Sequence, residues 1–405
     1  MPTVVLLGTL DTKGAEYEFL RERLRSAGVD TVVVDAGVFG AQHATPDITC
    51  EEVAAAAGAD VQALRDAGDR GAAVNTMAEG ATAVLLRLHG EGRCDGVLAM
   101  GGSGGSALAA HAMRALPIGV PKLIVSTMAS GDTRPYVGAR DIAMMYSVVD
   151  IAGINRLSAQ ILSNAAGAVA GMVGMEVPEV ADRPLIGASM FGVTTPCVTR
   201  ARELLESHGY EVLVFHATGT GGQSLESLVA DGFITAVLDI TTTELADDLV
   251  GGVLSAGPDR LEIAGRLGVP QVVSLGALDM VNFGPMDTVP ERFRDRNLYV
   301  HNENVTLMRT TPEECAELGR RIARKLNAAT GPTALFVPLR GVSMIAVEGG
   351  PFHDPEADAA LFGAIREHLD RDRVELVELD TDINDPAFAA AMAERLEAMI
   401  KEQQR

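Results

Sequence analysis

Short apolar runs alternate with longer stretches of helical periodicity along the first part of this chain. Residues 3–7 and 31–35 have the β-branched composition of strands, and they flank a predicted helix over residues 14–27. Gly28 follows this helix where left-handed backbone geometry favours glycine. Other predicted segments are helical regions over 51–67, 71–90 and 153–175 and strands over 97–100 and 122–126. This alternation predicts a parallel sheet with crossover helices.

The same order of elements returns after residues 177–184, a segment with two prolines and three charges that is typical of a linker. A strand over 185–188, a helix over 195–207, Gly209 and a strand over 211–215 follow it. Later predicted elements are strands over 236–240, 271–275 and 334–338 and an amphipathic helix over 386–403 that packs on either domain. We therefore predict an α/β protein with two doubly wound, mainly parallel-sheet, Rossmann-like domains, residues 1–180 and 181–405.

Composition narrows the classes of partner. The chain has 405 residues, 47% of them apolar, and a formal net charge of −22. A phosphate backbone is repelled by such a field, and the absence of Trp with only 4% aromatic residues leaves few stacking platforms, so we expect no nucleic-acid partner. A phosphate ligand would need amide dipoles, a few cations or Mg²⁺ to overcome the same field.

The cysteines and apolar segments predict a cytoplasmic protein without a membrane partner. Cys50, Cys94, Cys197 and Cys315 are far apart and form no C-x-x-C pair, which indicates reduced thiols. The N-terminus lacks a basic leader region. The apolar segment 165–175 is too short to span a bilayer and is interpreted as a packed helix of small residues.

A glycine-rich loop is the most specific chemical signal. An apolar run over 94–100 leads into it, and an alanine-rich segment over 107–116 follows. The loop consists of Gly101, Gly102, Ser103, Gly104, Gly105 and Ser106. Amides at such a strand–helix junction can hold an anion such as phosphate, although a plain tight turn has the same order. Lys122 stands where a dinucleotide fingerprint has an acidic residue, and no Lys-Ser/Thr pair makes this a Walker A loop.

Other candidate ligand contacts follow further strands of the first half, because open parallel sheets bind ligands beyond the C-terminal ends of their strands. Thr9, Thr12 and Lys13 offer hydroxyls and a cation, and Asp35 offers a carboxylate that suits ribose hydroxyls. Helix capping and ordinary turns explain the same residue types. The remaining candidates are Gly8, Ser126, Thr127, Ser130 and Gly131.

Five residues of the second half carry acid–base chemistry and predict catalysis if they share one cleft. They are His216, Glu244, His301, Arg340 and His353. Taken one by one, each histidine is better explained by a structural or surface role, and two candidate ligands, His301 and Glu303, are too few for a metal site.

Several ordered motifs resemble the Tm-one-like ATP-binding family, which contains microbial proteins and a plant inhibitor of tobamovirus RNA replication. They lie at residues 8–13, 101–106, 126–138 and 148–155, with further matches at 306–310 and 349–353. The resemblance implies ATP binding in the first half, with contacts on Gly8, Thr9, Thr12 and Lys13, the glycine-rich loop and the loop over 126–133, together with self-association into a homo-oligomer. It implies no particular reaction.

The first functional hypothesis is therefore an ATP-binding protein, with Mg²⁺ as an additional cofactor. The alternative is a hydrolase, lyase or ligase that acts on a small carboxylate or phosphorylated metabolite in a second-domain or interdomain cleft. A non-catalytic nucleotide sensor and an NAD-binding protein are further alternatives, and the sequence leaves open whether the chain is an enzyme.

Overall fold

A computed structural model describes residues 1–178 and 183–403. It divides into two compact units, Met1–Glu179 and Val180–Arg405, here called unit 1 and unit 2. Of the predicted linker over 177–184, residues 179–182 lie outside the described part of the chain. The two units are mixed α/β structures, as the alternating pattern predicts, and each is described by itself.

Unit 1 contains a sheet of five parallel strands in the order β2-β1-β3-β4-β5. The strands are β1 (Thr3–Gly8), β2 (Asp30–Asp35), β3 (Gly96–Gly101), β4 (Lys122–Ser126) and β5 (Ala143–Tyr146). The helices are α1 (Leu10–Ser26), α2 (Cys50–Ala56), α3 (Val61–Ala67), α4 (Arg70–Gly90), α5 (Ser103–Arg114), α6 (Arg134–Val137) and α7 (Arg156–Gly174). The short strand β5 was not predicted.

Alternation along the strands of unit 1 explains why both faces of this sheet carry helices. In β1, Val5 and Leu7 join a core with α2, α4 and α5, whereas Val4 and Leu6 join a core with α1 and α7 on the opposite face. All four side chains are fully buried. Successive strand residues point to opposite faces, so a continuous apolar run is what a doubly covered sheet requires.

The predicted helical region over 51–67 is two helices. Gly58 has φ of +71° after α2, and Asp60 then caps α3 by accepting the N–H of Ala63 at 2.9 Å. The predicted apolar segment 165–175 belongs to the longer helix α7, whose length and composition would suffice to cross a bilayer. A stripe of α7 packs into the core of unit 1.

Unit 2 contains six parallel strands in the order β14-β13-β9-β8-β6-β7 and a separate antiparallel sheet in the order β10-β12-β11. The strands are β6 (Leu185–Met190), β7 (Glu211–His216), β8 (Ile234–Thr241), β9 (Gln271–Gly276), β10 (Met280–Phe283), β11 (Leu298–Asn302), β12 (Val305–Arg309), β13 (Thr333–Pro338) and β14 (Glu375–Leu379). The antiparallel sheet and β14 were not predicted.

The helices of unit 2 cover its parallel sheet. They are α8 (Thr195–Ser207), α9 (Thr220–Ala230), α10 (Glu244–Val250), α11 (Ile263–Leu267), α12 (Pro312–Asn327), α13 (Pro355–His368) and α14 (Pro386–Gln403). Helix α12 begins with a capping box between Thr311 and Glu314. The terminal helix α14 was expected to pack on one of the two domains, and it packs against α8 of unit 2 through an apolar stripe that includes Phe388 and Met392.

Candidate functional site

The strand order of unit 1 places a crevice at the C-terminal edge of its sheet. From β1 the chain crosses to β2 on one side and later to β3 on the other, so the order reverses between β1 and β3. Ligands of open parallel sheets bind at such a reversal. The predicted residues at the ends of β1 and β3, Thr9 and the glycine-rich loop, flank this point.

The first turn of α5 presents unused hydrogen-bond donors at the crevice. Gly102 is its N-cap residue and supplies no side-chain cap. Only from Ser106 does an N–H reach back, to the carbonyl of Gly102 at 2.9 Å. The N–H groups of Ser103, Gly104 and Gly105 have no acceptor among the described residues, as is general for the first turn of a helix. Because none of these three residues is buried, the donors can reach a ligand.

Protein packing explains only part of the glycine content of the loop. A Cβ on Gly101 would lie 3.0 Å from Cα of Gly105, so close packing of α5 on β3 requires that glycine. A Cβ on Gly102 would meet nothing closer than Oγ1 of Thr127 at 3.7 Å, and one on Gly104 would have no neighbour within 4 Å. No close packing contact therefore requires glycine at Gly102 or Gly104, and the absence of a Cβ there leaves room for a closely approaching ligand.

A cleft of about 440 Å³ opens beside this helix terminus, within the volume range of small-molecule sites. Its polar lining includes Thr9, Asp11 and Thr12 with the backbone of Gly104 and Gly105. Its apolar lining consists of Val38, Phe39, Leu64, Ala73, Val74, Met77 and Leu108. Phe39 is 72% exposed, so its ring is available to a ligand. The cleft thus combines anion donors with an apolar wall.

Two arginines that the sequence reasoning missed also line this cleft, Arg65 and Arg70. Arg65 donates to the carbonyl of Val38 and pairs with Glu51 at 3.5 Å. Arg70 is exposed at the start of α4 and has no partner among the described residues. The N-cap signal of Asp69 could have located this helix start, but only the fold brings it beside the glycine-rich loop.

The predicted residues after β1 have different surroundings. Thr9 and Thr12 lie in the cleft, with their Oγ1 atoms 3.2 Å apart. Lys13 donates through Nζ to the carbonyl of Ile151 and does not line this cleft. Gly8 is buried, and a Cβ there would lie 1.9 Å from the hydroxyl oxygen of Tyr17. Packing of α1 on β1 therefore suffices to explain Gly8.

Asp35 supports the backbone around the cleft. Its Oδ1 accepts the N–H of Leu10 at 3.1 Å and of Gly37 at 2.9 Å, which ties the start of α1 to the turn after β2. The residue is only 1% exposed, and Oδ2 has no hydrogen-bond partner. Burial raises the pKa of this carboxyl, an effect that the two N–H donors partly offset. The ribose contact assigned to Asp35 remains a prediction.

The predicted loop after β4 uses part of its polar groups within the protein. The Oγ atoms of Ser106 and Ser126 are 2.6 Å apart, and the N–H of Met128 donates to Ser126 at 3.0 Å. Ser130 and Gly131 are exposed, Thr127 is half-buried, and none of them lines the cleft. Ser126, Thr127, Ser130 and Gly131 remain predicted ligand contacts at the end of β4.

Of the five predicted acid–base residues, three follow different strands of the unit 2 sheet. His216 ends β7, Glu244 follows β8 and Arg340 follows β13. Three strands separate β7 from β13, which corresponds to about 19 Å at the usual strand spacing. His216 is exposed and stacks on Phe191 with ring centroids 5.3 Å apart.

The other two residues lie elsewhere in unit 2. His301 is exposed on β11 of the antiparallel sheet, and His353 is exposed just before α13. Arg340 is exposed as well and pairs with Asp380 at 2.6 Å. The catalytic roles assigned to the five residues remain predictions, and the fold does not gather these residues at one strand end.

Glu244 belongs instead to a buried ionic cluster. Its Oε1 accepts the N–H groups of Gly219 at 2.7 Å and Gly222 at 3.0 Å, at the start of α9. Its Oε2 accepts Nε of Arg260 at 2.7 Å. Arg260 also contacts Asp239 at 2.5 Å and Glu226 at 3.5 Å. Burial opposes the charge of Arg260, but the carboxylates outweigh it and raise its pKa.

The side chains do not suggest a metal site. Among residues 1–178 and 183–403, no group of three or more His, Cys, Asp or Glu side chains has the arrangement needed to hold a metal ion. The four cysteines are buried free thiols.

Fold and site together define a two-domain α/β protein with an open helix terminus in its first unit. Comparison with family models gives the particular family. Residues 2–178 match the model described as Uncharacterised protein family (UPF0261) N-terminal domain, and residues 183–400 match its C-terminal domain. The chain belongs to this family.

Individual relatives agree with this assignment. The chain is similar to a UPF0261 protein of Clostridium tetani, 54% identical over 98% of this chain and 99% of the relative. It is 49% identical to the UPF0261 protein RA0729 of Rhizobium meliloti over 96% of this chain and 97% of that protein. It is also 40% identical to the ToMV resistance protein Tm-1(GCR237) of Solanum lycopersicum, over 97% of this chain and 55% of the tomato protein. The predicted family relationship is thus supported, and ATP binding is not part of what these matches show.

Solved structures give no closer guide. A putative UDP-N-acetylglucosamine 2-epimerase from Listeria monocytogenes is 12% identical, covers 94% of this chain and 99% of its own chain, and has a TM-score of 0.21. At that score the likeness carries no functional argument, so function has to be argued from the cleft.

Proposed function

We propose that unit 1 binds a nucleotide of the ATP class in the cleft beside α5. The observation that carries this proposal is the open first turn of α5 at the strand-order reversal, where Ser103, Gly104 and Gly105 keep their N–H groups unpaired. Helix N-termini bind phosphate because these donors and the helix dipole point at the same place. Thr9 and Thr12 add hydroxyls at the same cleft.

The cleft offers polar contacts for the phosphates and apolar contacts for the base of a nucleotide. The phosphates would lie against the glycine-rich loop, where a missing Cβ at Gly102 and Gly104 leaves room. The base would lie against the apolar wall, which includes the exposed ring of Phe39 and the side chains of Val74 and Met77. A largely apolar pocket with a few convergent polar groups is the usual form of a cofactor site.

The negative net charge of the chain opposes binding of an anionic nucleotide, and cationic groups at the cleft offset it locally. The chain carries a formal net charge of −22, which disfavours an anionic ligand at long range. Arg65 and Arg70 place two cations at this cleft, where their attraction for a phosphate acts at short range and weakens as the salt concentration rises. A Mg²⁺ ion carried by the phosphates would lower the ligand charge further.

The test is calorimetric titration of the full chain with ATP, with and without Mg²⁺, for the natural protein and the variant Gly104→Ala. The added methyl group meets no protein atom within 4 Å, and alanine favours the helix, so the variant should be at least as stable. We expect ATP affinity to fall about tenfold or more, because the methyl group stands where the phosphates approach the backbone.

Gly167→Ala in α7 is the matched control, because its Cβ also meets nothing within 4 Å but lies in another helix. It should leave ATP binding unchanged. Absence of ATP binding by the natural chain under both ionic conditions would overturn the proposal. Equal ATP affinity in the Gly104→Ala variant would remove the glycine-rich loop from it.

A further inference from the structure

A second cleft continues along the groove between α4 and α5. It has a volume of about 460 Å³ and shares Val74 and Leu108 with the first cleft. Its far end is lined by His111 and Arg114 of α5, of which Arg114 lies about 9 Å along the helix from Leu108. The two clefts therefore adjoin, and the second one lies well beyond the first turn of α5.

Arg114 supplies a positive charge and hydrogen-bond donors to this groove. The side chain is half-buried, and its Nη1 donates to the carbonyls of Pro135 and Tyr136, both at 2.9 Å. It forms no ion pair among the described residues, and burial lowers its pKa with no carboxylate opposing that effect. Its Nε and Nη2 atoms form no hydrogen bond to the described protein, so two donors of the planar guanidinium group stay available.

We propose that this groove binds a small organic monocarboxylate, with its carboxylate on Arg114 and its aliphatic part on Val74 and Leu108. The parallel N–H donors of a guanidinium group match the two oxygens of a carboxylate. His111 adds a second polar contact at the same end, whereas Glu79 on the opposite wall disfavours ligands of higher negative charge. A monoanion with an apolar chain fits these groups, and it needs no bound nucleotide.

The experiment uses hexanoate as the probe and the full chain without nucleotide, followed by calorimetry and methyl-resolved NMR. Hexanol and hexylamine are matched probes that keep the chain and replace the carboxylate by a neutral or a cationic group. We expect hexanoate to bind at least about tenfold more tightly than either one, because only the carboxylate can accept charge-assisted hydrogen bonds.

Two variants test the location. Arg114→Gln removes the charge and should weaken hexanoate binding about tenfold or more. Ala107→Leu narrows the groove from an exposed position on α5, so it should weaken binding without touching Arg114 and guards against a folding defect of the first variant. Arg87→Gln, an exposed arginine on α4 that lines neither cleft, is the control and should bind like the natural chain.

The outcomes separate this proposal from nucleotide binding. Hexanoate binding that is lost in Arg114→Gln and Ala107→Leu supports it, whether or not ATP binds. Equal affinities for hexanoate and hexanol, unchanged affinity in both variants, or no binding by the natural chain would each overturn it. Failure of ATP titration leaves these measurements unaffected, because they are made without nucleotide.

Discussion

Units 1 and 2 arrange their first strands in the same order but differ in how a helix start at the C-terminal edge of the sheet is satisfied. In unit 1 the order is β2-β1-β3-β4-β5, and in unit 2 the corresponding run is β7-β6-β8-β9-β13, with β14 added at the edge. In unit 1 the N–H groups at the start of α5 remain unpaired beside a cleft. The same strand order therefore does not determine whether the N–H groups at a helix start on the C-terminal edge of the sheet remain unpaired.

In unit 2 a side chain of the protein takes the position of an anion. The carboxylate of Glu244 accepts the N–H groups of Gly219 and Gly222 at the start of α9 and pairs with the buried Arg260. A Cβ on Gly222 would lie 2.1 Å from Oε2 of Glu244, so glycine there makes room for the chain's own carboxylate. The comparison teaches that glycines at a helix start indicate an anion without telling whether it is a ligand or a residue.

The largest effect on stability is expected when the carboxylate of Glu244 in unit 2 is removed. Glu244→Ala would leave Nε of Arg260 and two buried N–H groups without their acceptor, while Asp239 and Glu226 still pair with the guanidinium group. Because each buried unpaired donor is costly, we expect a loss of about 3–5 kcal/mol in the free energy of unfolding of unit 2. Hydrogen exchange of peptides from β8 and β9, followed against urea concentration, measures it. Glu203→Ala, which removes an exposed pair with Arg200, should cost less than about 1 kcal/mol.

The same variant can be used to sharpen the comparison. If Glu244 stands in for an anion, formate should occupy the vacated position and restore about 1 kcal/mol at saturating concentration. Chloride at equal ionic strength controls for salt. Equal recovery in both salts would mean that Glu244→Ala leaves no specific anion site.

Gly8 and Gly104 of unit 1 differ in whether a side chain at that position would meet protein atoms. In Gly8→Ala the new methyl group overlaps Tyr17, whose hydroxyl donates to the carbonyl of Leu7 at 2.6 Å and accepts the N–H of Met100 at 2.9 Å. We expect a loss of about 3 kcal/mol in the free energy of unfolding of unit 1. Gly104→Ala should cause no loss. A similar destabilisation in both variants, measured by urea unfolding, would contradict this distinction.

The free energy of unfolding of unit 2 should depend on pH, because unit 2 contains buried carboxyl groups with raised pKa values. Burial raises the pKa of Asp247 from 3.8 to about 7, although Asn282 and Leu254 donate N–H groups to it. Between these two values the folded chain holds a proton that the unfolded chain has lost, so stability falls as the pH rises. We expect unit 2 to lose about 2–3 kcal/mol between pH 5 and pH 7.5.

Asp247→Asn removes this titration and should flatten the profile, whereas Asp259→Asn, at an exposed position, should keep it. Burial also raises the pKa of Asp279 to about 6, so a smaller slope of the same sign should survive in Asp247→Asn. Urea unfolding at several pH values measures the slopes. A natural chain whose unit 2 gains stability over this range would contradict the assignment.

The smallest effect concerns the open cleft. Arg70 is exposed, so its attraction for a phosphate is screened, and Arg70→Gln should weaken ATP binding only about fivefold. Arg87→Gln is the control on the same helix. The difference between the two variants should shrink as salt concentration rises. An unchanged ATP affinity in Arg70→Gln would exclude this residue from the phosphate contacts.

Local sequence patterns were sufficient to predict the most apolar strands of the two parallel sheets. They were also sufficient to predict the glycine-rich loop. They missed β5, whose residues are not buried, and the antiparallel sheet with its exposed strand β11. Edge and surface strands lack the continuous apolar run by which buried strands are recognised. The break at Gly58 inside a predicted helix was also missed, because one glycine does not by itself end a helical pattern.

The site was predicted less completely than the fold. Thr9, Thr12 and the glycine-rich loop lie at the cleft, because the residues that follow parallel strands necessarily meet at one edge of the sheet. Arg65, Arg70 and Phe39 were missed, since they come from loops and helices whose position depends on packing.

The sequence by itself determined the α/β alternation and the helix start at residues 101–106, because β-branched runs and glycines act through the backbone of their immediate neighbours. Only the tertiary structure decided which polar groups remain free. Glu244 and Asp35 are carboxylates near strand ends that each accept two backbone N–H groups, yet of the two only Glu244 also pairs with a buried arginine. The partner of a buried charge is decided by packing between distant segments, and among the described residues no carboxylate is packed against the N–H groups at the start of α5.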